Sequence, residues 1–404
     1  MDRNTVIGFV LIGVLLMGMF YINSKSRLAY EGEQKRIADS IAALAPKRDS
    51  LPVPIVTVTD TSVRPSLEDT TCFKTSITPG KGIILVENSL FSISFNSLGA
   101  VIDKIVLKKF NRFDGSPVVL NSSSFNKFSY EINSGVNKTL QTDKIVFEAG
   151  PVVINSDSSQ TITFVAADAE GRKLSHVYTV KPADYMIDLD IQLIGSDKLF
   201  SRNAVNILWQ TEATQVEKDH KYELTQTHIC YAKNGKFDFE YVGKGDNLDM
   251  SKGADWIALK QQFFVAGLVA KNKFTSAETE WVAPSDTNQY ITRAIVHAKA
   301  TFTPGSNATI PLSFYFGPSD YNTLKIYDNQ MENIVPYGSG IFAFVKYINR
   351  HFLLPVFDFL QRHVASMGMV ILLLTLLIRL ITSPILYKSY LSGAKMKVLK
   401  PEVD

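Results

Sequence analysis

Cysteine is nearly absent, with only Cys72 and Cys230 in 404 residues. That excludes a disulfide-stapled scaffold and any four-cysteine zinc module, and a bridge between two cysteines so far apart stays open. The six histidines never fall as H-E-x-x-H, and no C-x-x-C, P-loop or G-x-S-x-G occurs. The sequence therefore offers no metal, nucleotide or nucleophile motif, and no cofactor is expected. An excess of one charge is also missing, since 42 Lys and Arg against 39 Asp and Glu give a formal +3. That balance excludes wholesale phosphate binding, so nucleic acid is not expected as a direct ligand. Charged residues make up 20% and apolar ones 46%, which excludes a disordered chain.

What is present is apolar sequence in two long runs. Thr5 to Ile22 carries no charge, and Val364 to Ser383 carries only Arg379. Each approaches or reaches the ~20 helical residues needed to cross a hydrocarbon core of ~30 Å, so a soluble enzyme is not the leading reading. The first run is longer than a signal-peptide core and lacks an A-x-A site after it, which predicts an uncleaved anchor at 1–22. Lys25, Arg27, Lys35 and Arg36 follow that run but are mixed with Glu31, Glu33 and Asp39. The bases after the second run, Lys388, Lys395, Lys397 and Lys400, meet no acid before Glu402. Weighting the second group gives cytoplasmic N- and C-termini with the middle of the chain outside.

Between the runs, residues 23–80 read as a flexible linker, with Pro46, Pro52, Pro54, Pro65 and Pro79 among Thr, Ser and Asp. Residues 81–320 read as an antiparallel β-sandwich. Phe91, Ile93 and Phe95 alternate with polar residues, as do Tyr185 to Leu193 and Ile310 to Phe316, and a period of two predicts strands with one buried and one wetted face. Trp256–Val269 is a further strand candidate, and His176, between Leu174 and Tyr178, reads as a satisfied core histidine. Residues 338–363 place Ile341, Phe344, Val345, Ile348 and Phe352 at helical spacing among Lys346, Arg350, Asp358 and Arg362. They predict an amphipathic helix in the membrane interface, bent at Pro355. Residues 364–387 form the second span, and 388–404 the start of a cytoplasmic loop.

Arg379 is the candidate functional residue. A charge at the centre of a span costs about 2.5–3.5 kcal/mol on insertion scales, so such residues face protein or water unless they snorkel. Thr375 stands one turn earlier on the same face, and Pro384 is placed to break the helix near the boundary.

At these residues the chain resembles the YidC family of bacterial membrane protein insertases. The stretch LLLTLLIRLITSPILYKSYLSGAKMKVLKPE is similar to the family's span with Thr and Arg four apart, a terminal Pro, and a K-M-x-x-L-x-P run filled by Lys395, Met396, Leu399 and Pro401. Trp256 followed by Gln261-Gln262-Phe263-Phe264 resembles a motif of the family's extracytoplasmic domain, as does Tyr315-Phe316-Gly317-Pro318. The order of anchor, tether, β-domain, amphipathic helix and Arg-bearing span matches as well.

The resemblance implies two transmembrane helices flanking a galactose-mutarotase-like β-sandwich in the periplasm, and an insertase and chaperone rather than an enzyme. Arg379 and Thr375 would line a hydrophilic substrate groove ending near Pro384, and Lys388, Lys395 and Lys397 would be cytoplasmic basic contacts. Partners would be nascent membrane proteins and the lipid bilayer, with the Sec translocon and the ribosome. The family continues beyond the K-M-x-x-L-x-P run, which makes this chain a fragment in expectation. The alternative is a membrane-anchored carbohydrate-binding or epimerase-like β-sandwich.

Overall fold

The computed structural model describes residues 73–76, 83–135, 137–283, 290–338 and 343–399. The predicted anchor 1–22, nearly all of the linker 23–80, and Cys72 lie outside them. Contacts divide the chain into one unit, Ser66–Lys346, and a second that includes Tyr347–Asp404.

The first unit is built of antiparallel strands throughout. Its largest sheet runs, in spatial order, Lys236–Tyr241, His228–Lys233, Ala254–Lys260, Phe264–Phe274, Asn307–Pro318, Met186–Ile194, Lys173–Val180 and Gln160–Ala167, with the short strands Glu148–Ala149 and Val153–Ile154 on the last. A six-stranded sheet runs Asp246–Met250, Ser276–Val282, Tyr290–Thr301, Ala204–Thr214, Lys127–Gly135 and Lys138–Gln141. A four-stranded one runs Ile83–Glu87, Phe91–Asn96, Val101–Asn111 and Pro117–Leu120.

Period-two side chains knit these layers into one core. Phe128 and Trp209 of the six-stranded sheet meet Phe314 of the large sheet, with ring centroids 5.2 and 6.4 Å apart, and Phe95 of the four-stranded sheet lies 4.7 Å from Tyr178. Phe91, Ile93 and Phe95 are fully buried while their polar neighbours are partly exposed, as the alternation predicts. Burial of such aromatic and aliphatic side chains, about 1.5–3 kcal/mol each, is what holds two sheets face to face.

Three features depart from the sequence reading. Strand Asn307–Pro318 is buried on both faces from Leu312 onward, so Ser313 and Tyr315 are not wetted. Ser313 donates to Asp188 of the neighbouring strand at 2.8 Å, and Tyr315 is covered by the segment after the strand. Leu324, Met331 and Ile334 are buried, Tyr327 packs 5.6 Å from Tyr315, and the backbone carbonyl of Asn329 accepts from the Trp256 indole at 2.7 Å. Trp256–Val269 is not one strand but a hairpin, turned at Gln261–Phe263. The linker's end also joins the domain, with Phe73 buried and Thr75 bridging Ile145.

A helix runs from Ala343–Ile348 through a π-turn at Asn349–Leu353 into Leu354–His363. Pro355 follows directly on that wider turn and lies within the continuous helical run. Val364 is extended, and the helix Met367–Leu399 follows. At 1.5 Å per residue its 33 residues make ~50 Å, longer than a ~30 Å hydrocarbon core. The helix continues through 388 to Leu399, consistent with Leu, Ala, Lys and Met as helix formers. Pro384 does not break the helix but lies inside it. It removes one N–H bond, and the neighbouring turns hold the helix together.

Candidate functional site

The family-like stretch after Trp256 is a packing device. Gln261 turns the hairpin, its N–H donating to the Phe264 carbonyl at 2.8 Å, and its buried amide reaches two partners at 2.5 Å, the Thr214 carbonyl and the Glu223 carboxylate. Glu223, fully buried in the short helix His220–Thr225, also accepts from the N–H groups of Val216 and Glu217 at 3.1 Å. Burial pushes its carboxyl above the usual range, opposed by those hydrogen bonds. Lys260 donates to the Gln226 carbonyl at 2.7 Å, and burial lowers its ammonium pKa. Glu223 was invisible in the sequence, because it is 38 residues from Gln261 and no spacing rule joins them. The Tyr315-to-Pro318 stretch is likewise structural. The Tyr315 hydroxyl donates to the Pro318 carbonyl at 2.7 Å, and a Cβ on Gly317 would stand 2.6 Å from the Tyr185 ring.

His176 is a core histidine. Its Nε2 pairs with the Tyr130 hydroxyl at 2.8 Å and its Nδ1 with the Ala100 carbonyl at 3.0 Å, and burial lowers its pKa to about 4. Ala100 follows Gly99, both at positive φ, and its carbonyl also accepts from Tyr178 at 2.8 Å. Cys230 is buried, which raises its thiol to about 12. Among the described residues no three His, Cys, Asp or Glu side chains could hold a metal.

The helix Met367–Leu399 treats polarity differently. Met367–Lys395 is long and apolar enough to cross a membrane, and it is the one such helix among the described residues. Thr375 and Arg379 are both exposed on it, one turn apart. The Thr375 hydroxyl donates to the Ile371 carbonyl at 2.7 Å, so it faces outward as an acceptor only. The Arg379 guanidinium has no hydrogen bond or ion pair among the described residues. Lys388 and Lys395 are exposed two turns apart on the same helix, while the side chain of Lys397 lies outside the described residues.

Residues 83–349 match the family model described as the YidC periplasmic domain, and the chain accordingly belongs to the YidC family. Among its curated relatives, the membrane protein insertase YidC of Bacteroides fragilis is 32% identical over 416 residues, covering 100% of this chain and 65% of the relative. That of Phocaeicola vulgatus is 29% identical over 417 residues, with the same coverage. The chain thus spans about two thirds of the length of these relatives. An active YidC insertase crystal structure with its first transmembrane domain resolved aligns at TM-score 0.34 and 13% identity, covering 82% of this chain and 62% of that one. A galactose mutarotase-like protein from Lactobacillus casei aligns at TM-score 0.37 and 14% identity, covering 58% and 100%. At such scores the sandwich is defined by its own strand pairing.

Proposed function

We propose that the chain works as a membrane protein insertase and folding factor of the bacterial inner membrane, as its curated relatives are named. In this reading the sandwich stands in the periplasm, both termini are cytoplasmic, and the residues 1–22 are a first span. The observation that carries it is Arg379, the single charge in the apolar run 364–387, one turn from an acceptor-only Thr375.

A guanidinium at that depth costs free energy in lipid and so holds water beside it, which shortens the hydrophobic path for a polar tail. Arg379 draws in the acidic residues of such a tail, and Thr375 accepts hydrogen bonds from its backbone. Pro384 leaves the Leu380 carbonyl without its helical donor, a polar point at the end of the groove. Burial of the client's ~20 apolar residues in lipid drives the process, so no bond is made or broken and neither a catalytic residue nor a cofactor is required. Lys388, Lys395 and Lys397 meet anionic lipid or the ribosome at the cytoplasmic face, and the Sec translocon supplies clients.

The test is insertion of a client with an acidic translocated tail. Arg379→Ala lowers it roughly tenfold, the factor that about 1.4 kcal/mol makes, while Arg379→Lys restores much of it. Equal insertion by the alanine variant would remove Arg379 from the mechanism.

A further inference from the structure

Polarity on the helix Met367–Leu399 is confined to one side. In the stretch from Met367 to Leu386 the polar side chains are Thr375, Arg379, Thr382 and Ser383. At 3.6 residues per turn these fall within about 100° of arc. All of them are exposed. The opposite side carries Val370, which is buried, and Leu373, Leu374 and Leu377, which are half-buried. The covered side of this helix is therefore apolar, and the polar arc is left open. Lys388 and Lys395 leave from the apolar side, so the arc is not the flank of the basic end.

Within the arc, Thr382 repeats the chemistry of Thr375. Its hydroxyl donates to the Ile378 carbonyl at 2.9 Å and lies 3.3 Å from the Arg379 carbonyl, as the Thr375 hydroxyl donates to Ile371. With that hydrogen committed, the oxygen offers only lone pairs to a passing molecule. A threonine that closes on its own helix is common in apolar sequence, but such residues have no reason to share a side with the one charge. Here the two hydroxyls stand seven residues apart with Arg379 between them. That is about 10.5 Å along the axis, which three residues of an extended chain cover at about 3.4 Å each. Such a chain brings backbone N–H groups to both oxygens and an acidic side chain to the guanidinium. A helical segment has free N–H groups only in its first turn, so the match is to an extended one.

We propose that Thr382 is a further client-contacting residue, whose oxygen accepts a backbone N–H of an acidic tail lying extended along Thr382, Arg379 and Thr375. The inference rests on the insertase reading, in which Thr382 lies on the cytoplasmic side of Arg379 and is met first by an entering tail.

The experiment uses inverted membrane vesicles from cells whose protein carries single substitutions, matched for protein level, and a radiolabelled client with an acidic translocated tail. Thr382→Val keeps the shape of the side chain and removes its oxygen. It lowers the insertion rate about threefold, the loss of one neutral hydrogen bond, and Thr382→Ser restores the rate. Added to Thr382→Val, Leu386→Thr, one turn on within the arc, recovers part of the rate, whereas Ile381→Thr, about 100° away, recovers none. A benzophenone side chain in place of Thr382 captures the stalled tail, and one in place of Ile381 does not. Equal insertion by Thr382→Val would overturn the proposal, as would rescue by Ile381→Thr. Capture of this protein alone from position 382 would assign the arc to helix packing and overturn it too. Depletion of the protein from the same vesicles separates the two readings. If depletion leaves insertion unchanged, the insertase reading fails. If depletion abolishes insertion and Thr382→Val does not slow it, the assignment of Thr382 fails alone.

Discussion

Glu223, buried in the sandwich, and Arg379, set in an apolar run, are ionisable residues that the two regions of the molecule treat in opposite ways. In the sandwich, Glu223 is met by two backbone N–H groups and the Gln261 amide, and His176 by a hydroxyl and a carbonyl. Every such contact fixes a hairpin, a helix or a strand crossing. On the helix Met367–Leu399, Arg379 has no such partner among the described residues. A buried polar group whose hydrogen bonds are all made is committed to the fold, and one held at depth without them is available to a passing molecule. On the proposed insertase reading, function then lies at Arg379, while the family-like motifs of the β-domain are committed to packing.

All three tryptophans, Trp209, Trp256 and Trp281, are buried in the sandwich, so intrinsic fluorescence of the whole chain in detergent follows that region alone. The largest break in the comparison is Trp256→Ala, which removes a fully buried indole and its bond to Asn329 and lowers unfolding stability by about 4 kcal/mol. Next is Glu223→Leu, which leaves one Gln261 amide hydrogen and two N–H groups without an acceptor and costs about 3 kcal/mol in a urea titration followed by that fluorescence. If Glu223→Leu left stability unchanged, the claim that its polarity is committed to the fold would fail.

The pH dependence sharpens the comparison further. Folding lowers the His176 pKa from 6.5 to about 4, so between those values the unfolded chain binds the extra proton. The stability it contributes is full above 6.5 and is lost as pH falls toward 4, by about 3 kcal/mol in all. His176→Gln removes that part of the slope; an identical slope in the variant would contradict a neutral, buried imidazole. The smallest effect belongs to the other region. Arg379→Leu changes sandwich stability by less than about 0.5 kcal/mol while it impairs insertion of acidic-tailed clients.

Much of this was legible from local pattern. Period-two alternation places Phe91–Asn96 and Met186–Ile194 as strands, and a histidine between strand residues reads as core because a lone imidazole has no ligand set around it. What escaped was set by distant segments. Tyr315 looks wetted until Tyr321–Val335 returns over it, and Gln261 looks like a strand residue until Thr214 and Glu223 claim its amide. At the helix, Pro384 reads as a stop because of its missing N–H, yet the helix formers on either side carry it through to Leu399. Arg379 stands out in the sequence because an isolated charge in an apolar run is a local signal.

The place of strand Asn307–Pro318 has a consequence in time. It is the last strand of the domain along the chain, yet it lies between Phe264–Phe274 and Met186–Ile194 in the middle of the largest sheet. During synthesis everything before it can form hairpins, but the two halves of that sheet have nothing to join them until residues 307–318 arrive. Folding of the domain is thus held back until almost the whole of it has been made and delivered to one side of the membrane, with its longest-range pairing formed last.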